Sequence, residues 1–439
     1  MSYQESELQA KIRQQFDVVT YPRVPVEKSP KDDYELLYIH NLVTPYYLRN
    51  QKVIETEGKI ILDAGCGSGY KALVLAEANP GAKIVGIDIS EKSVELARQR
   101  LQYHGFDNAE FHVMPIEELP SLGLEFDYIN CDEVLYLLPD IVVGLQAMKS
   151  VLKPDGIIRT NLHSSLNRHY YFKVQEVFKM MGLMNENPGE MEMELARETL
   201  AALKDSIIMK RQVWKPEKVN DEEWIQMNYL FLGDKGYTIP EVFAALKSAD
   251  LEFISMVNWR QWELLDLFKE PDNLPAFLEM SLPNISIEEQ LHLFELLQPI
   301  HRLLNFWCGH PYQAQYTIPV SEWTETDWRG AKVCLHPQLM SSNLKLDFIE
   351  CINKRKLFEV SKYVKLPTQV PILLDSSIAA CLLSLFDNVC TIQFLVERWL
   401  KIRPIDPITL QPVSQNRAWN EIKELLTMLD AFLYVLLER

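Results

Sequence analysis

The chain has 439 residues, of which 47% are hydrophobic, and at roughly 150 residues a domain this length favours two or three domains. The net charge of −17 disfavours binding to nucleic acids and to anionic membranes. The seven scattered cysteines form no Cys-x-x-Cys pair, and no signal peptide or run of about 18 apolar residues is visible. These features predict a cytoplasmic protein with reduced thiols and no membrane span.

The first predicted elements are a polar helix at residues 5–17 and a tyrosine-rich helical stretch at 33–50, joined by a proline-containing loop. We interpret residues 1–50 as a helical lid over a ligand. Simple packing of its side chains is an equally open reading. The residues concerned are Tyr21, Tyr46, Tyr47 and Arg49.

From residue 59 onward, short apolar runs alternate with amphipathic stretches of ten to fifteen residues. This alternation predicts an α/β fold with a parallel, doubly wound sheet. The predicted strands are 59–63, 83–88, 108–113, 126–131 and 156–162.

After residue 163 the alternation weakens, and residues 165–235 are predicted to form a helical insertion. Its methionine-rich stretch, 180–193, is predicted to fill core space rather than to form a substrate surface. A sixth strand is predicted at 251–258, an amphipathic helical region at 284–305, and a final antiparallel strand at 331–336.

Residues 341–439 are predicted to form a small, mostly helical C-terminal domain that follows a main domain at 51–340. Three helices and a terminal strand resemble a winged-helix module. Because the chain is acidic and lacks a basic recognition helix, we interpret this domain as a packing or regulatory unit. The predicted elements are 376–386, 391–400, 418–429 and 432–437.

A glycine-rich turn joins the first strand to the first helix of the sheet. Three glycines, Gly65, Gly67 and Gly69, allow a sharp turn and a close approach of backbone to ligand. Dinucleotide sites space their glycines as Gly-x-Gly-x-x-Gly, so an NAD-dependent dehydrogenase is disfavoured. Asp63 suits a cationic ligand group, and Asp88, at the end of the second strand, suits ribose hydroxyls.

On these features, residues 59–163 resemble the class I S-adenosylmethionine-dependent methyltransferases. The resemblance implies a Rossmann-like seven-stranded sheet and S-adenosylmethionine as the cofactor. It also implies that Ile89 packs against the adenine ring and that the backbone N–H of Ile116 donates to the same ring. The implied cofactor-binding residues are Asp63, Gly65, Cys66, Gly67, Gly69, Asp88, Ile89, Ile116, Glu117, Cys131 and Tyr21.

One position departs from the family pattern. Where the family has an aspartate that receives the adenine amino group, this chain has Pro115, so Glu117 is the replacement that we expect. Cys131 falls where a backbone carbonyl meets the ligand in the family. A plain core thiol is the favoured alternative reading of that residue.

The flanks resemble methyltransferases with a C-terminal regulatory domain, similar to bacterial protein lysine methyltransferases. The segments that carry this second resemblance are short and scattered. They are Phe16-Asp17, Tyr21-Pro22, residues 235–243 and Leu335–Leu339. The resemblance implies that the C-terminal half helps to bind a substrate or partner.

Candidate catalytic residues follow the fourth and fifth strands, because strand ends line the crevice of a doubly wound sheet. They are Glu133, Tyr136 and His163, with His163 as a general base near neutrality and Glu133 as a ligand for a substrate amine. A structural hydrogen bond for His163 and helix capping for Glu133 are alternatives. No spacing of ligands predicts a metal site.

The sequence therefore predicts a methyltransferase that acts on nitrogen or oxygen of a protein side chain or a small metabolite. The alternatives are a non-catalytic adenosylmethionine-binding regulator and an enzyme for small molecules alone. Self-association into a homo-oligomer is compatible with the sequence, which does not identify the methyl acceptor.

Overall fold

The computed structural model of the chain describes residues 11, 14, 22–315, 317–364 and 371–439. Within these residues the centre of the molecule is one sheet of eight strands. In chain order they are β1 (Ile60–Ala64), β2 (Lys83–Asp88), β3 (Glu110–Val113), β4 (Phe126–Cys131), β5 (Leu152–Ser164), β6 (Gly236–Tyr237), β7 (Glu252–Met256) and β8 (Leu303–Gly309).

The sheet has the order β3-β2-β1-β4-β5-β8-β7, and β6 pairs with the end of β5. All strands are parallel except β8, which runs antiparallel to both of its neighbours. The strand order reverses between β1 and β4, and ligands of open α/β sheets bind at the carboxyl ends beside such a reversal. The predicted fold class, a Rossmann-like sheet with helical additions, is confirmed.

Helices cover both faces of this sheet. The described α-helices are α1 (Tyr34–His40), α2 (Val43–Asn50), α3 (Tyr70–Ala78), α4 (Glu91–Tyr103), α5 (Ile141–Ser150), α6 (His169–Met180), α7 (Glu190–Ala202), α8 (Ile208–Val213), α9 (Glu222–Tyr229), α10 (Ile239–Ser248), α11 (Ala276–Ser281), α12 (Ile287–Leu297), α13 (Glu325–Gly330), α14 (Ser342–Lys354), α15 (Ser376–Leu382), α16 (Ile392–Ile402) and α17 (Gln415–Asp430).

The alternation of side chains along β1 shows how the two layers form. Ile61 packs on the α3 and α4 side with Leu73 and Val94, and Leu62 packs on the opposite side with Leu145 of α5. β4 is buried along its whole length. Strands buried on both faces appear in the sequence as continuous apolar runs, which explains why β1, β2 and β4 were predictable.

The insertion between β5 and β6 consists of α6 to α9 and has a small core of its own. The prediction that its methionines fill core holds for Met184 and Met193, which are buried. It is wrong for Met180 and Met191, whose exposed fractions are 83% and 67%. The exposed pair adds apolar surface to the molecule.

The prediction that residues 331–336 form the final strand of the main sheet is wrong. That position belongs to β8, whereas Lys332–Leu335 forms β9, a strand of another sheet. The helical region expected at 284–305 ends at Leu297, and the apolar run from Leu303 to Cys308 then enters the sheet. An apolar run directly after an amphipathic helix continues its pattern, so the change to a strand is hidden.

The C-terminal part contains the predicted helices and terminal strand. β9 (Lys332–Leu335) is the centre of a small sheet with the order β12-β9-β13, where β12 is Cys390–Thr391 and β13 is Val435–Glu438. A further pair, β10 (Phe358–Glu359) and β11 (Leu373–Leu374), lies in the same region. The domain division at residue 340 stays a prediction, and β9 pairs with strands on the far side of it.

The helices α1 and α2 pack between the main sheet and the C-terminal part. The hydroxyl of Tyr46 donates to the Asp127 carbonyl at 3.0 Å, and that of Tyr47 donates to Asp430 at 2.7 Å. Arg49 is buried and donates to the carbonyl of Asp155 at 2.7 Å. Thus Tyr46, Tyr47 and Arg49 have packing roles instead of lying over the glycine turn. None of the helices in the described ranges has the length and hydropathy of a membrane span.

Candidate active site

The glycine turn has the conformation that only glycine adopts without strain. Gly65, Gly67 and Gly69 have φ of 80°, 49° and 80°, in the left-handed region. A Cβ at Gly65 would lie 2.5 Å from the side chain of Val134, and one at Gly69 would lie 2.6 Å from the Cα of Ala97. Both the backbone angles and the space therefore require glycine here, and Gly65 lies against the turn that follows β4.

Asp88 holds the turn from the end of β2. One of its carboxylate oxygens accepts from the N–H of Gly67 at 2.9 Å and the other from the N–H of Ser90 at 2.9 Å. The N–H groups of Gly65 and Cys66 both donate to the carbonyl of Ile87 at 2.8 Å. The contact of Asp88 with ribose hydroxyls stays a prediction.

A row of polar side chains crosses the sheet at the carboxyl ends of its strands. The strand register pairs Asp63 of β1 with Asn130 of β4, and Asn130 with Arg159 of β5. Residues in register on parallel strands share a face, so these side chains meet. The Asn130 amide donates to Asp63 at 2.8 Å, and Arg159 donates to the Asn130 oxygen at 2.8 Å.

Two further residues extend this row, and with it they form what we call the aspartate network: Asp63, Asn130, Arg159, Asp132 and Lys71. Lys71 pairs with Asp132 at 2.8 Å, and Arg159 pairs with the same carboxylate at 3.5 Å. Burial alone would raise the pKa of Asp132, but the two cations hold it well below its usual value.

Asp63 differs from Asp132 because its charge is not compensated by a direct ion pair. Burial raises the pKa of Asp63 to about 7, against the lowering effect of the hydrogen bond from Asn130. Its second oxygen, Oδ2, is buried and has no hydrogen-bond partner among the described residues. Such an oxygen fits the cationic α-amino group of S-adenosylmethionine, as the sequence predicted.

Arg100 of α4 is fully buried, and it joins the segment before α1 to the glycine turn. Its guanidinium donates to the carbonyls of Ser68, Val24 and Pro25 at 2.9, 2.6 and 2.6 Å. The Ser68 hydroxyl also donates to the carbonyl of Pro22 at 2.8 Å. Part of the predicted lid thus lies at the turn. Tyr21, the lid residue assigned to the cofactor, lies outside the described residues.

The adenine side of the predicted site is built from the ends of β2 and β3. The Met114 N–H donates to the Asp88 carbonyl at 3.0 Å, which holds the two strand ends together. Ile116 is buried at the start of a 3₁₀ turn, and Ile89 and Glu117 are half-buried. Their contacts with adenine stay predictions.

The two cysteines assigned to the cofactor, Cys66 and Cys131, are buried. Burial raises the pKa of the Cys131 thiol to about 12, so a thiolate has no role there at neutral pH. A contact of the Cys131 backbone carbonyl with the cofactor, which the resemblance implies, stays a prediction.

The three predicted catalytic residues lie together beyond the ends of β4 and β5. His163 stacks on Tyr136 with ring centroids 4.1 Å apart. The side chain of Arg302 joins His163 to Glu133, with its nitrogens 3.1 Å from His163 Nε2 and 2.6 Å from the Glu133 carboxylate. With Asp234, these four residues make up the histidine cluster.

The protonation of His163 is fixed by its partners. The Asp234 carboxylate lies 2.6 Å from His163 Nδ1 and also accepts from Arg168 at 2.7 Å. Nδ1 therefore carries the proton, and Nε2 presents a lone pair to Arg302. Burial lowers the pKa of His163 in spite of the opposing effect of Asp234, so the imidazole is neutral at neutral pH.

The aspartate network and the histidine cluster touch through one side chain, Asn161 of β5. Its amide donates to the carboxylate of Asp132, and its oxygen accepts from the N–H of Glu133 at 2.9 Å. Glu133 has a φ of 58°, which is uncommon for a residue with a side chain. Asn161 therefore holds Glu133 in a strained conformation between the two groups.

Several of these residues were not found from the sequence. Asp234 and Arg302 lie far along the chain from His163, and no spacing pattern connects them. His40, whose ring lies 2.9 Å from Arg159, and Arg100 were also missed. The described ranges contain no group of three or more His, Cys, Asp or Glu side chains that could hold a metal ion.

Comparisons with known proteins agree with this geometry. Residues 55–229 match the family model described as a methyltransferase domain. The solved structure of PKMT2 from Rickettsia typhi has the same fold, with a TM-score of 0.59 and 16% identity, over 91% of this chain and 76% of that one. A structure of PKMT2 with AdoHcy gives the same values for identity and TM-score.

Two sequence relatives extend the comparison. A protein of Synechococcus sp. is 27% identical over 318 residues, 71% of this chain and 73% of that protein. The ubiquinone biosynthesis O-methyltransferase of Bordetella avium is 34% identical over 117 residues, which cover 26% of this chain and 45% of that enzyme. The chain thus spans under half the length of the O-methyltransferase.

The chain carries a class I methyltransferase domain. It is an S-adenosylmethionine-dependent methyltransferase, because the family model, the strand order and the glycine turn beside the reversal of that order agree.

Proposed function

We propose that this methyltransferase transfers a methyl group to nitrogen or oxygen of an acceptor whose proton is taken by His163. The observation that carries the proposal is the fixed tautomer of His163. Asp234 occupies Nδ1, so Nε2 is the basic atom, and it points to the group beside Glu133. A base of this kind is required when the acceptor atom must lose a proton before it attacks.

The cofactor would be held by the residues of the turn and the strand ends. Asp63 Oδ2 would bind the α-amino group, the turn from Gly65 to Gly69 would hold the methionine and ribose part, and Asp88 would accept the ribose hydroxyls. S-adenosylmethionine supplies a methyl carbon bound to a sulfonium, which is reactive without enzymatic activation. The protein therefore has to align the acceptor and exclude water.

In this arrangement Asp234 is a positioning residue and His163 is the base. When His163 Nε2 takes a proton, the imidazolium is stabilised by the carboxylate of Asp234, whose own pKa is held below its usual value by His163 and Arg168 against the effect of burial. Tyr136 stacks on the ring and limits its rotation. Protonated His163 is not a base, so activity falls as the pH falls through the pKa of this residue.

The test is the pH dependence of turnover in His163→Asn. The wild-type rate should fall on the acidic side with an apparent pKa below 6.5, since the pKa of His163 is lowered. In the variant this limb should vanish and kcat should be lower by about 100-fold or more. AdoHcy affinity should stay within about 3-fold of the wild type. His169→Gln, at an exposed histidine, is the matched control.

An unchanged pH profile in His163→Asn would refute the role of His163 as the base. A loss of AdoHcy affinity equal to the loss of turnover would instead show that His163 supports the cofactor site.

We also propose that the acceptor is carried on a polypeptide. Apolar side chains are exposed on the insertion, which is joined to the histidine cluster through Arg168 and Asp234, and on α11. They include Met180, Met191, Phe277 and Met280. Exposed apolar surface of this kind is typical of protein contact sites. Transfer of labelled methyl into host lysate, with products separated into protein, RNA and small molecules, tests this class of acceptor. Label in small molecules alone would contradict it.

A further inference from the structure

The side chain of Arg302 lies at the centre of the histidine cluster, although Arg302 itself is close to the surface. Its guanidinium donates to the carboxylate of Glu133 at 2.6 Å and to Nε2 of His163 at 3.1 Å. The side chain is 45% exposed, whereas that of His163 is 2% exposed. One end of Arg302 thus reaches a buried base while the rest borders solvent.

The groups that receive Arg302 form a binding site for a cation with N–H donors. A carboxylate and a deprotonated imidazole nitrogen are both hydrogen-bond acceptors. Asp234 prevents His163 from turning a donor toward this position, because it already accepts the proton on Nδ1. Glu133 is held there by Asn161 in a strained backbone conformation, and such strain is common at functional sites.

We propose that Arg302 occupies the position of the methyl acceptor, and that the acceptor is an alkylamine that enters as an ammonium ion and displaces the guanidinium. This inference rests on the proposed role of His163 as the base. It narrows the acceptor from nitrogen or oxygen in general to an amine, which pairs with Glu133 in place of Arg302.

The charges at the site favour a cation over an anion. An acceptor with a carboxylate or phosphate would have to separate Arg302 from Glu133 and would then lie beside the carboxylate of Glu133, which repels it. An ammonium leaves the local charge unchanged, because one cation replaces another. The side chain of Arg302 is 45% exposed, so it borders the solvent into which the ammonium would displace it.

The chemistry separates the two cations. A guanidinium with a pKa above 12 holds its proton, whereas an alkylammonium has a pKa of about 10.4. In the reaction, an N–H bond of the ammonium breaks, its proton bonds to His163 Nε2, and the electron pair stays on the amine nitrogen. Because burial lowers the pKa of His163, the bound pair is mostly ammonium and neutral imidazole, and methylation of the small fraction of free amine draws the proton transfer forward. The amine nitrogen is then the nucleophile, and the imidazolium stays paired with Asp234 until its proton passes to water. Arg302 is therefore a placeholder and not a substrate.

The test measures binding of n-butylammonium to the full chain in the absence of cofactor, by NMR of ¹⁵N-labelled histidines. Arg302→Met should tighten the dissociation constant by about 10-fold, because the internal competitor is lost. Arg302→Lys should remain near the wild type, since a cation is retained. The double variant E133Q/R302M should lose the gain. Arg98→Met removes an exposed arginine from another surface pair and is the control.

Binding should shift the resonances of His163, and n-butyrate and n-butanol should not. Tighter binding of butyrate to Arg302→Met, or an unchanged affinity for butylammonium, would overturn the inference. If ammonium binding is unchanged while the pH profile still depends on His163, then only the amine assignment fails. If the pH profile fails while ammonium binding tightens, then the role of His163 as base fails.

Discussion

The aspartate network and the histidine cluster adjoin each other but differ in how they meet solvent. In the network, Arg159 is buried, and the side chain of Asp132, which is 10% exposed, bonds to it and to Lys71, whose side chain is 31% exposed. The cluster is equally buried at Asp234 and His163, but it ends in Arg302, which is half exposed. A region that binds one constant cofactor can be fixed, whereas a region that admits an acceptor needs one replaceable contact.

This contrast is carried by the partners of two carboxylates. Asp63 has one oxygen with no partner in the described part of the chain, and that oxygen is enclosed. Glu133 has a partner, but the partner can leave toward solvent. The enclosed oxygen of Asp63 suits a cation that fits a closed space. At Glu133, in our proposal, one cation replaces another.

The largest effect is expected from Gly69→Ala, which tests how rigid the network side is. Gly69 and Gly105 have similar positive φ, so alanine should cost about 1 kcal/mol of unfolding free energy at either position. At Gly69 the new methyl would also lie 2.6 Å from the Ala97 backbone, whereas at Gly105 nothing lies within 4 Å. Gly69→Ala should therefore lose about 1–3 kcal/mol more than Gly105→Ala in urea unfolding. Equal losses would show that the contact between α3 and α4 adjusts.

The next effect is on cofactor affinity in Asp63→Asn. The variant keeps an oxygen for the Asn130 amide but loses the charge that faces the ligand amine. Hydrogen bonds to charged groups contribute about 1.5–3 kcal/mol, so AdoHcy affinity should fall roughly 10- to 100-fold by calorimetry. The His163 resonances should not move, because the two regions are distinct. Asp107→Asn, at an exposed aspartate, is the control, and a similar loss in that variant would contradict the assignment.

The smallest effect is a proton linkage at Asp63. Its pKa in the ligand-free protein is raised to about 7, and a cationic amine beside it favours the ionised form. Binding of AdoHcy below pH 7 should therefore release a proton, and the affinity should fall by up to about tenfold for each pH unit below 7. Calorimetry in buffers of different ionisation enthalpy measures the proton. A slope that persists in Asp63→Asn would assign it to another group.

The same raised pKa has a consequence for stability. The unfolded chain loses the Asp63 proton near pH 3.8 and the folded chain near 7, so the folded state binds more protons between these values. This residue therefore contributes stability that is present at low pH and is lost as the pH rises through 7. Bound AdoHcy should reduce that loss, because it stabilises the ionised carboxylate.

Much of the network side could be predicted from the sequence because its residues lie close together along the chain. Asp63 and the three glycines form one segment, and Asp88 ends the next strand. The partners Asn130 and Arg159 come from strand register, which a single sequence does not determine. The lid prediction failed for Tyr46 and Tyr47, because their hydroxyls bond to segments 80 to 390 residues away.

The histidine cluster was half predictable. Glu133, Tyr136 and His163 follow strands, and the rule that crevices lie at strand ends finds them. Asp234 lies at the end of the insertion, and Arg302 directly precedes β8. The sequence predicts the final strand of the sheet at 331–336 instead of at β8. Because the sequence does not predict β8, it does not place Arg302 near the site. The wrong strand and the missed residue therefore have the same cause.

The position of α1 and α2 has a consequence for how the chain is made. Tyr38 donates to the carbonyl of Phe432, and Tyr47 accepts from the N–H of Leu437 in β13. These helices are synthesised before Phe432 and Leu437, and nearly 400 further residues must be added before the hydrogen bonds can form. At ribosomal speeds of about 5–20 residues per second, that interval is roughly 20–80 s. During this interval the C-terminal part does not cover the apolar faces of α1 and α2. We therefore expect nascent chains halted before β13 to bind chaperones.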